Sequence, residues 1–280
     1  LTSDDLIVGQ YAAATLTLNG ATVTTGDYFW VGQNAGGNGA VVQTGGTVTV
    51  DNRLAISDHA TAQGSYTIGG DGTLSINGDY LIVGRQGPGS FVQNDNSVVT
   101  FNGSQRILIA DNAGSGGSSY TLNGGTLNVN NSRQISVGKA GAGLFTQTGG
   151  VVNARNSTLR LNEGGSQGTY QLQGGQLHIG TIQGSDAAFE FTGGTLHADN
   201  VQFALTNEGG ILAPGHSAGT TFIGGAYTQE STGVLAIELG GLTQGTEYDW
   251  LDVNGAVTLA GSLEVSLIDD FIPSFADTFD

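Results

Sequence analysis

The segment YTLNGGTLNV, residues 120–129, decides the fold. On both sides of its Gly-Gly pair, apolar residues alternate with polar ones; the apolar members are Tyr120, Leu122, Leu127 and Val129. This period of two predicts two short β-strands, each with one face directed inward. The Gly-Gly pair can adopt the left-handed backbone conformation that a tight corner requires. The segment therefore predicts a strand, a corner and a second strand.

The same pattern recurs along the chain, most often every 25 residues. Copies are VVQTGGTVTV (41–50), FTQTGGVVNA (145–154), YQLQGGQLHI (170–179) and FEFTGGTLHA (189–198), with a looser copy LTLNGATVTT (16–25). A large residue opens each copy, with one spacing of 29 and one of 19: Leu16, Val41, Tyr66, Phe91, Tyr120, Phe145, Tyr170 and Phe189. No stretch has a helical period. We therefore predict an all-β fold, a single-stranded parallel β-helix (β-solenoid) with coils of about 25 residues that rise about 4.8 Å each.

Stacked coils would place equivalent residues in columns along the solenoid. In one column apolar residues and glutamines alternate, which hints at a 50-residue unit: Leu18, Gln43, Ile68, Gln93, Leu122, Gln147 and Leu172. This column lies two residues after the large residue that opens each copy, so it is on the same face of the strand. We therefore expect the glutamine amides inside the solenoid, hydrogen-bonded to neighbouring backbone groups. A second column is expected to face solvent: Thr24, Thr49, Asn128, Asn153, His178 and His197.

From Gly209 onward the strand alternation continues, but the coil length becomes irregular. We predict a solenoid repeat region, 1–208, followed without a break by atypical C-terminal β coils, 209–280, that form a cap or a subunit-contact region. No leader is recognisable in residues 1–10 and no anchor follows residue 280, so we expect a processed chain or the ordered part of a longer one. No apolar run approaches about 18 residues, which excludes a transmembrane helix.

The charge is strongly acidic, with 24 Asp and Glu against 7 Lys and Arg, a net charge of −17, and the chain has no Cys. Nucleic acid and membrane insertion are therefore not expected, because phosphate binding needs a basic surface. Disulfides, thiol catalysis and Cys-based zinc sites are excluded. All bases lie in residues 1–160, whereas residues 161–280 carry 15 acids and no base, so the two parts of the surface differ.

The tract that runs from LAPGHSAGT (212–220) to LAGSLEVSL (259–267) resembles the late passenger segment of autotransporter-type exported bacterial proteins. Upstream units such as VGQNAGGNGAVVQTGGTVTV (31–50) resemble autotransporter-associated β-strand repeats. The resemblance implies a parallel β-solenoid that is exported to the cell surface or released. It implies adhesive or structural roles more often than enzymatic ones, and it transfers no catalytic residue.

Two histidines are the first candidates for chemistry. His178 and His197 occupy equivalent positions in successive coils, so their rings should lie about 5 Å apart. We expect a solvated ladder; a metal site is the alternative, although no third ligand and no HExxH spacing is evident. His59 and His216 lie in Gly- and Ala-rich corners and are expected at the surface.

Acidic clusters are the second candidates. They are Asp4 and Asp5; Glu247, Asp249 and Asp252; and Asp269 and Asp270. Close carboxylates can bind Ca²⁺, but none of these clusters matches an EF-hand loop or a calcium-binding nonapeptide. We expect a solvated acidic surface, and we predict no cofactor beyond weak or structural calcium.

An enzymatic role would need a catalytic constellation. Asp58 with Arg53, or Asp111 with Arg106, could serve a lyase acting on acidic sugars, and paired carboxylates could serve a hydrolase. The corners are short and Gly-rich, and no nucleophile elbow, P-loop or dinucleotide fingerprint is present. We therefore predict no enzymatic activity and no catalytic, cofactor-binding or metal residue. Two aromatic clusters could bind carbohydrate, but we expect them to pack in the core or a cap: Tyr28, Phe29 and Trp30, and Tyr248 with Trp250.

The predicted function is structural. We expect a non-enzymatic protein outside the cell or on a bacterial cell surface, acting as a stalk or adhesin or as a subunit of a head-to-tail filament or matrix. The open ends of a coil stack carry unpaired backbone groups, which favour end-to-end self-association. A glycan or another cell-surface partner is compatible with this role. The alternative is a β-helix protein that binds or degrades a polysaccharide, as a lyase or hydrolase.

Overall fold

Parallel pairing of successive coils builds the molecule. The computed structural model describes residues 1–279. In the central coils, Tyr120 pairs in register with Phe91 of the preceding coil and Phe145 of the following one. The fold is an all-β parallel β-solenoid of about 11 turns, with coils about 25 residues apart, so the predicted fold class is confirmed.

The described residues form short strands that are separated by tight corners and three single-turn 3₁₀ helices at Ala113–Ser115, Glu163–Gly165 and Asp186–Ala188. In chain order the strands are Thr2–Ser3 (β1), Leu6–Val8 (β2), Ala13–Leu18 (β3), Thr22–Thr25 (β4), Tyr28–Val31 (β5), Asn38–Gln43 (β6), Thr47–Val50 (β7), Arg53–Ile56 (β8), Gln63–Ile68 (β9), Thr73–Ile76 (β10), Leu81–Val83 (β11), Gly89–Gln93 (β12), Val98–Phe101 (β13), Arg106–Ile109 (β14), Ser118–Leu122 (β15), Thr126–Val129 (β16), Gln134–Val137 (β17), Gly143–Gln147 (β18), Val151–Leu161 (β19), Gly168–Gln183 (β20), Phe189–Val201 (β21), Leu205–Asn207 (β22), Ile211–Leu212 (β23), Thr220–Ile223 (β24), Tyr227–Gln229 (β25), Val234–Leu239 (β26), Trp250–Val253 (β27), Val257–Leu259 (β28) and Ser262–Leu267 (β29). Residues 1–279 contain no helix that is long and apolar enough to span a membrane.

The regular coils contribute one strand to each of three ladders, which form three faces of the solenoid. Near the C-terminal end, β22, β25 and β28 form a separate three-stranded sheet. The first ladder contains β3, β6, β9, β12, β15 and β18 and continues into β20 and β21. The second begins at β1 and β4 and ends at β26 and β29, and the third begins at β2 and β5 and ends at β24 and β27. Strands β19, β20 and β21 run through corners without interruption. The coil from Tyr170 to Phe189 is shortened to 19 residues, whereas the coil from Phe145 to Tyr170 keeps 25.

Glycine makes the corner between the first and second ladders. Gly46 and Gly125 both have φ +76°, a left-handed conformation that side chains disfavour. A Cβ at Gly125 would lie 2.1 Å from the carbonyl oxygen of Ser97 in the coil below. The Gly-Gly pairs of the repeat are therefore required both by the turn and by the close approach of stacked coils.

A stack of aromatic rings runs through the interior. Tyr66, Phe91, Tyr120, Phe145 and Tyr170 are fully buried, and the centroids of neighbouring rings lie 4.6–5.2 Å apart. The coil rise sets this separation, because parallel strands in register place equivalent side chains directly above one another. Offset stacking of this kind stabilises beyond simple burial by about 0.5–1.5 kcal/mol per pair.

The buried glutamines are satisfied as predicted, and tyrosine is their partner. The Tyr120 hydroxyl donates to Gln93 Oε1 at 2.7 Å, and Gln93 Nε2 donates to the carbonyls of Ser97 and Thr126. The same arrangement recurs with Tyr66 on Gln43 and with Tyr170 on Gln147. Coils with Tyr therefore alternate with coils with Gln, which explains the 50-residue unit.

The stack continues across the predicted boundary at residue 208. Ile211 and Leu212 of β23 pair in register with Thr195 and Leu196 of the preceding coil. The division into two regions itself stays a prediction. The corners, however, lengthen here: a loop of residues 213–219 precedes β24, and a loop of residues 240–249 precedes β27.

We predict that Tyr120→Phe lowers the free energy of unfolding by about 1–3 kcal/mol, because Gln93 Oε1 would lose its donor inside the core. Tyr11→Phe is the matched control, since the Tyr11 side chain is 70% exposed. It should change the stability by less than about 0.5 kcal/mol. Urea unfolding followed by circular dichroism measures both, and equal stabilities of the two variants would contradict the role of the Tyr–Gln bond.

Candidate functional site

The outward column of the second face leads to the candidate site. Asn128, Asn153, His178 and His197 lie in register on successive strands, as predicted. In the next two coils, small residues follow on this face, among them Ala213 and Ala236. The change from imidazole rings to methyl groups leaves a hollow on the surface of the solenoid.

Three histidines meet at this hollow. The rings of His178 and His197 are stacked with centroids 4.4 Å apart and planes 7° from parallel. His216, from the loop 213–219, lies 5.7 Å from the first ring and 6.3 Å from the second. The expected ladder exists but is not solvated, because His178 is only 9% exposed. The surface position expected for His216 is also wrong, since its side chain is 14% exposed.

Two loops wall the hollow. Asp249, at the end of the loop 240–249, is buried and accepts the backbone N–H groups of Gly219 and Glu238 at 2.7 and 2.8 Å. Glu238 Oε2 accepts the N–H of Ala218 at 3.1 Å. These carboxylates tie both loops to β26. The resulting histidine cleft has a volume of about 300 Å³ and is lined by Arg155, His178, His197, Ala213, Pro214, His216, Ser217, Ala236, Glu238, Asp249 and Ser266.

The three imidazoles are neutral at pH 7. Burial, with His197 and Arg155 nearby, lowers the pKa of His178 to about 4. Burial also lowers the pKa of His216 to about 4, with Arg155 and His178 contributing, and it lowers the pKa of His197. Within the described chain, no partner hydrogen-bonds to Nδ1 of His178, His197 or His216, or to Nε2 of His216.

The metal alternative finds no support in this geometry. Imidazole binds a metal through a lone pair in the ring plane, and two stacked parallel rings do not aim such lone pairs at one point. Among residues 1–279, no group of three or more His, Asp or Glu side chains is placed to hold a metal ion.

Arg155 is the cationic member of the cleft. Five of the seven bases form ion pairs: Arg53, Arg85, Arg106, Lys139 and Arg160. Arg155 forms none with any residue of 1–279, although the chain carries 24 Asp and Glu. It also borders a second hollow of about 220 Å³, the asparagine hollow, lined by Val129, Asn130, Asn131, Ser132, Asn153 and Asn156.

The acid–base pairs considered for a lyase do not form. Asp58 pairs with Arg85, whereas Arg53 lies 3.6 Å from Asp79. Asp111 pairs with Lys139 at 2.6 Å, and Arg106 pairs with Glu163 of a later coil. Three of these contacts join neighbouring coils along the third face, and the Arg106–Glu163 pair spans two coils.

The first aromatic cluster divides between the two sides of β5. Phe29 is in the core, whereas Trp30 stacks on Tyr28 on the outer side with centroids 5.1 Å apart. Arg85 covers the Trp30 ring, and Arg53 lies between Tyr28 and Tyr80. Trp30 is only 8% exposed because this outer patch also packs on Ala55, Ile82 and Leu108. The cluster therefore packs on both faces of the third ladder and does not cap an end.

The remaining candidates are dispersed. Tyr248 is buried against Phe279, and Trp250 lies on β27. Glu247 accepts backbone N–H groups of its own loop, and Asp5 accepts the N–H of Tyr28. The other predicted acidic residues and His59 are not brought to the cleft; Asp4, Asp269, Asp270 and His59 are exposed, and Asp252 lies on β27.

The sequence analysis did not predict that Arg155, Glu238 and His216 line the same cleft as His178 and His197. His178, His197 and His216 follow each other at equal spacings of 19 residues, but only the first spacing is a coil length. Leu196 pairs with Leu212, 16 residues later, so His216 lies beyond the column position and reaches the cleft through the loop 213–219. Glu238 lies on β26, two residues after Ala236 and so on the same face of the strand. Asp249 was expected at a solvated acidic surface, but it is buried, and the loop 240–249 brings it to the cleft.

No protein-family model, curated protein or solved structure matches this chain. The β-solenoid that the resemblance implied is shown by the structure, and kinship with autotransporter-type proteins stays a prediction.

We predict that acidification destabilises the protein through these histidines. Their folded-state pKa values lie below the unfolded value of about 6.5, so the unfolded chain binds more protons between about pH 6.5 and 4. Stability should therefore fall as the pH drops through this window. His178→Gln with His197→Gln should make that fall smaller, because two of the groups that take up protons on unfolding are then absent.

Urea unfolding at pH 7.0, 5.5 and 4.5 measures the effect. His59→Gln is the control, because His59 is exposed and away from the cleft. It should keep the pH dependence of the unmodified protein. An unchanged dependence in the double variant would show that the cleft histidines are not the titrating groups.

Proposed function

We propose that this protein is a stiff, non-enzymatic structural element outside the cell or on a bacterial cell surface, which acts as a stalk or adhesin shaft or assembles into filaments. The observation that carries the proposal is the unbroken stack of about 11 turns with an internal aromatic and Tyr–Gln spine. Such a stack gives a rod about 50 Å long at about 4.8 Å per coil.

Export is supported by composition and resemblance. The chain has no Cys to be oxidised and no Met, and its repeats resemble those of exported bacterial proteins. Its only Lys is Lys139, and backbone paired within strands is a poor protease substrate. These features suit a protein that persists outside the cell.

End-to-end assembly is supported by the last coil. Strands β28 and β29 pair with the coil below them, and their other edge carries exposed apolar side chains: Leu259, Leu263, Val265 and Leu267, each more than half exposed. Leu263 continues the core column of Leu212 and Leu235. We propose that a further coil covers this edge and that in a filament a second copy supplies it, because an open apolar strand edge is a template for another strand.

We predict rods about 50 Å long that join end to end in electron micrographs of the purified chain. Leu263→Lys with Val265→Lys should leave single rods and at least a tenfold smaller assembled fraction in analytical ultracentrifugation, because two buried charges at the junction would be desolvated. Asn153→Lys, on the side of the solenoid, is the control and should assemble normally. Filaments that persist in the double variant would contradict the proposed junction.

The location is tested separately. Antibody labelling of intact cells that produce the protein, with and without added protease, should detect it on the surface or in the medium. Detection only after the cells are opened would overturn the extracellular role, whatever the state of assembly.

A further inference from the structure

The histidine cleft and the asparagine hollow adjoin each other and share Arg155. Together they make a polar groove that crosses several coils at the corner between the second and third faces. A hollow of about 320 Å³ on the first face is lined mostly by Gly and Ser and carries no charged group. Of these three hollows, the two that form the shared groove are the ones lined by a charged residue.

Arg155 gives the groove its charge preference. It is a guanidinium without an ion pair among residues 1–279, on a chain with net charge −17. A planar guanidinium with unused donors is suited to a carboxylate, which it can bind through two parallel hydrogen bonds. The rest of the groove does not add cations, because the three imidazoles beside it are neutral at pH 7.

The remaining lining suits hydroxyl groups. Asn amides, Ser hydroxyls and the Nε2 atoms of His178 and His197 can each donate to or accept from a sugar hydroxyl, whereas Nδ1 of all three rings and Nε2 of His216 are buried. Glu238 uses Oε2 for the Ala218 N–H, which leaves Oε1 for a ligand donor. Ala213, Pro214 and Ala236 supply an apolar floor. A few convergent polar groups over an apolar floor, in a cleft of about 300 Å³, are typical of small-ligand sites.

Other ligand classes fit less well. Nucleic acid would need a series of phosphate-binding cations, and Arg155 is the one Lys or Arg in the lining of the groove. A metal ion would need lone pairs that converge, and the stacked rings of His178 and His197 do not provide them.

We propose that this groove binds an oligosaccharide that contains an acidic sugar, with the carboxylate of that sugar on Arg155 and sugar hydroxyls on Nε2 of His178 and His197, on Glu238 and on the asparagine hollow. This role is additional to the structural one and does not depend on assembly.

Isothermal titration of the purified full chain at pH 7 with trigalacturonic acid tests the proposal. Binding should weaken at least tenfold in Arg155→Gln. It should change less than twofold in Arg160→Gln, the matched control, because Arg160 loses the same charge but lies outside the groove and is paired with Glu163. Arg155 is exposed, so its substitution should leave the fold intact, which circular dichroism verifies.

Neutral galactotriose should bind at least tenfold more weakly than the acidic trimer. In NMR spectra the acidic trimer should shift the ring signals of His178 and His197 and leave those of His59 in place. No binding, or equal binding to Arg155→Gln or to galactotriose, would overturn the proposal. If acetate alone reproduced the same histidine shifts at the same concentration, the saccharide assignment would be wrong.

Discussion

Parallel pairing of coils in register is the constraint on which the rest of the structure depends. It places every side chain directly above its equivalent about 4.8 Å away, so the residues of each column must pack against one another without clashes or unpaired polar groups. Aromatic rings meet this requirement by stacking, as Tyr120 does between Phe91 and Phe145. In the core from Gln43 to Tyr170, buried tyrosines and glutamines belong to alternate coils, so each of these glutamine oxygens accepts a hydrogen bond from a hydroxyl of the next coil.

The Tyr–Gln spine shows how alternation solves this problem. A tyrosine hydroxyl from one coil bonds the glutamine oxygen of the coil before it, and the glutamine nitrogen bonds backbone carbonyls near the corner. Every buried polar atom in this unit thus has a partner in a neighbouring coil, and a single coil could not satisfy it alone. A bond network of this kind resists sliding of coils along the strands, since a slip of one residue would separate each pair.

The same constraint explains where the groove lies. Regular coils leave flat faces, and concavity requires a change in coil length or side-chain size. Both changes occur after Tyr170: register pairing stacks His178 on His197, the next residue of the column is Ala213, and longer loops add His216 and Asp249. The groove at Arg155 is thus a local departure from regularity on an otherwise rigid rod.

Local patterns determined most of the fold. The alternation in residues 120–129, the Gly-Gly corner and the spacing of 25 sufficed for the ladders, the buried Gln column and the outward His178–His197 column, because all depend on short-range periodicity. Only the tertiary structure decided the tyrosine partner of Gln93, the enclosure of His216, the unpaired state of Arg155 and the pairing of Asp58 with Arg85. These features depend on side-chain directions and on how the loops fold. Each contact joins residues of different coils or loops, and a local repeat pattern does not relate such residues.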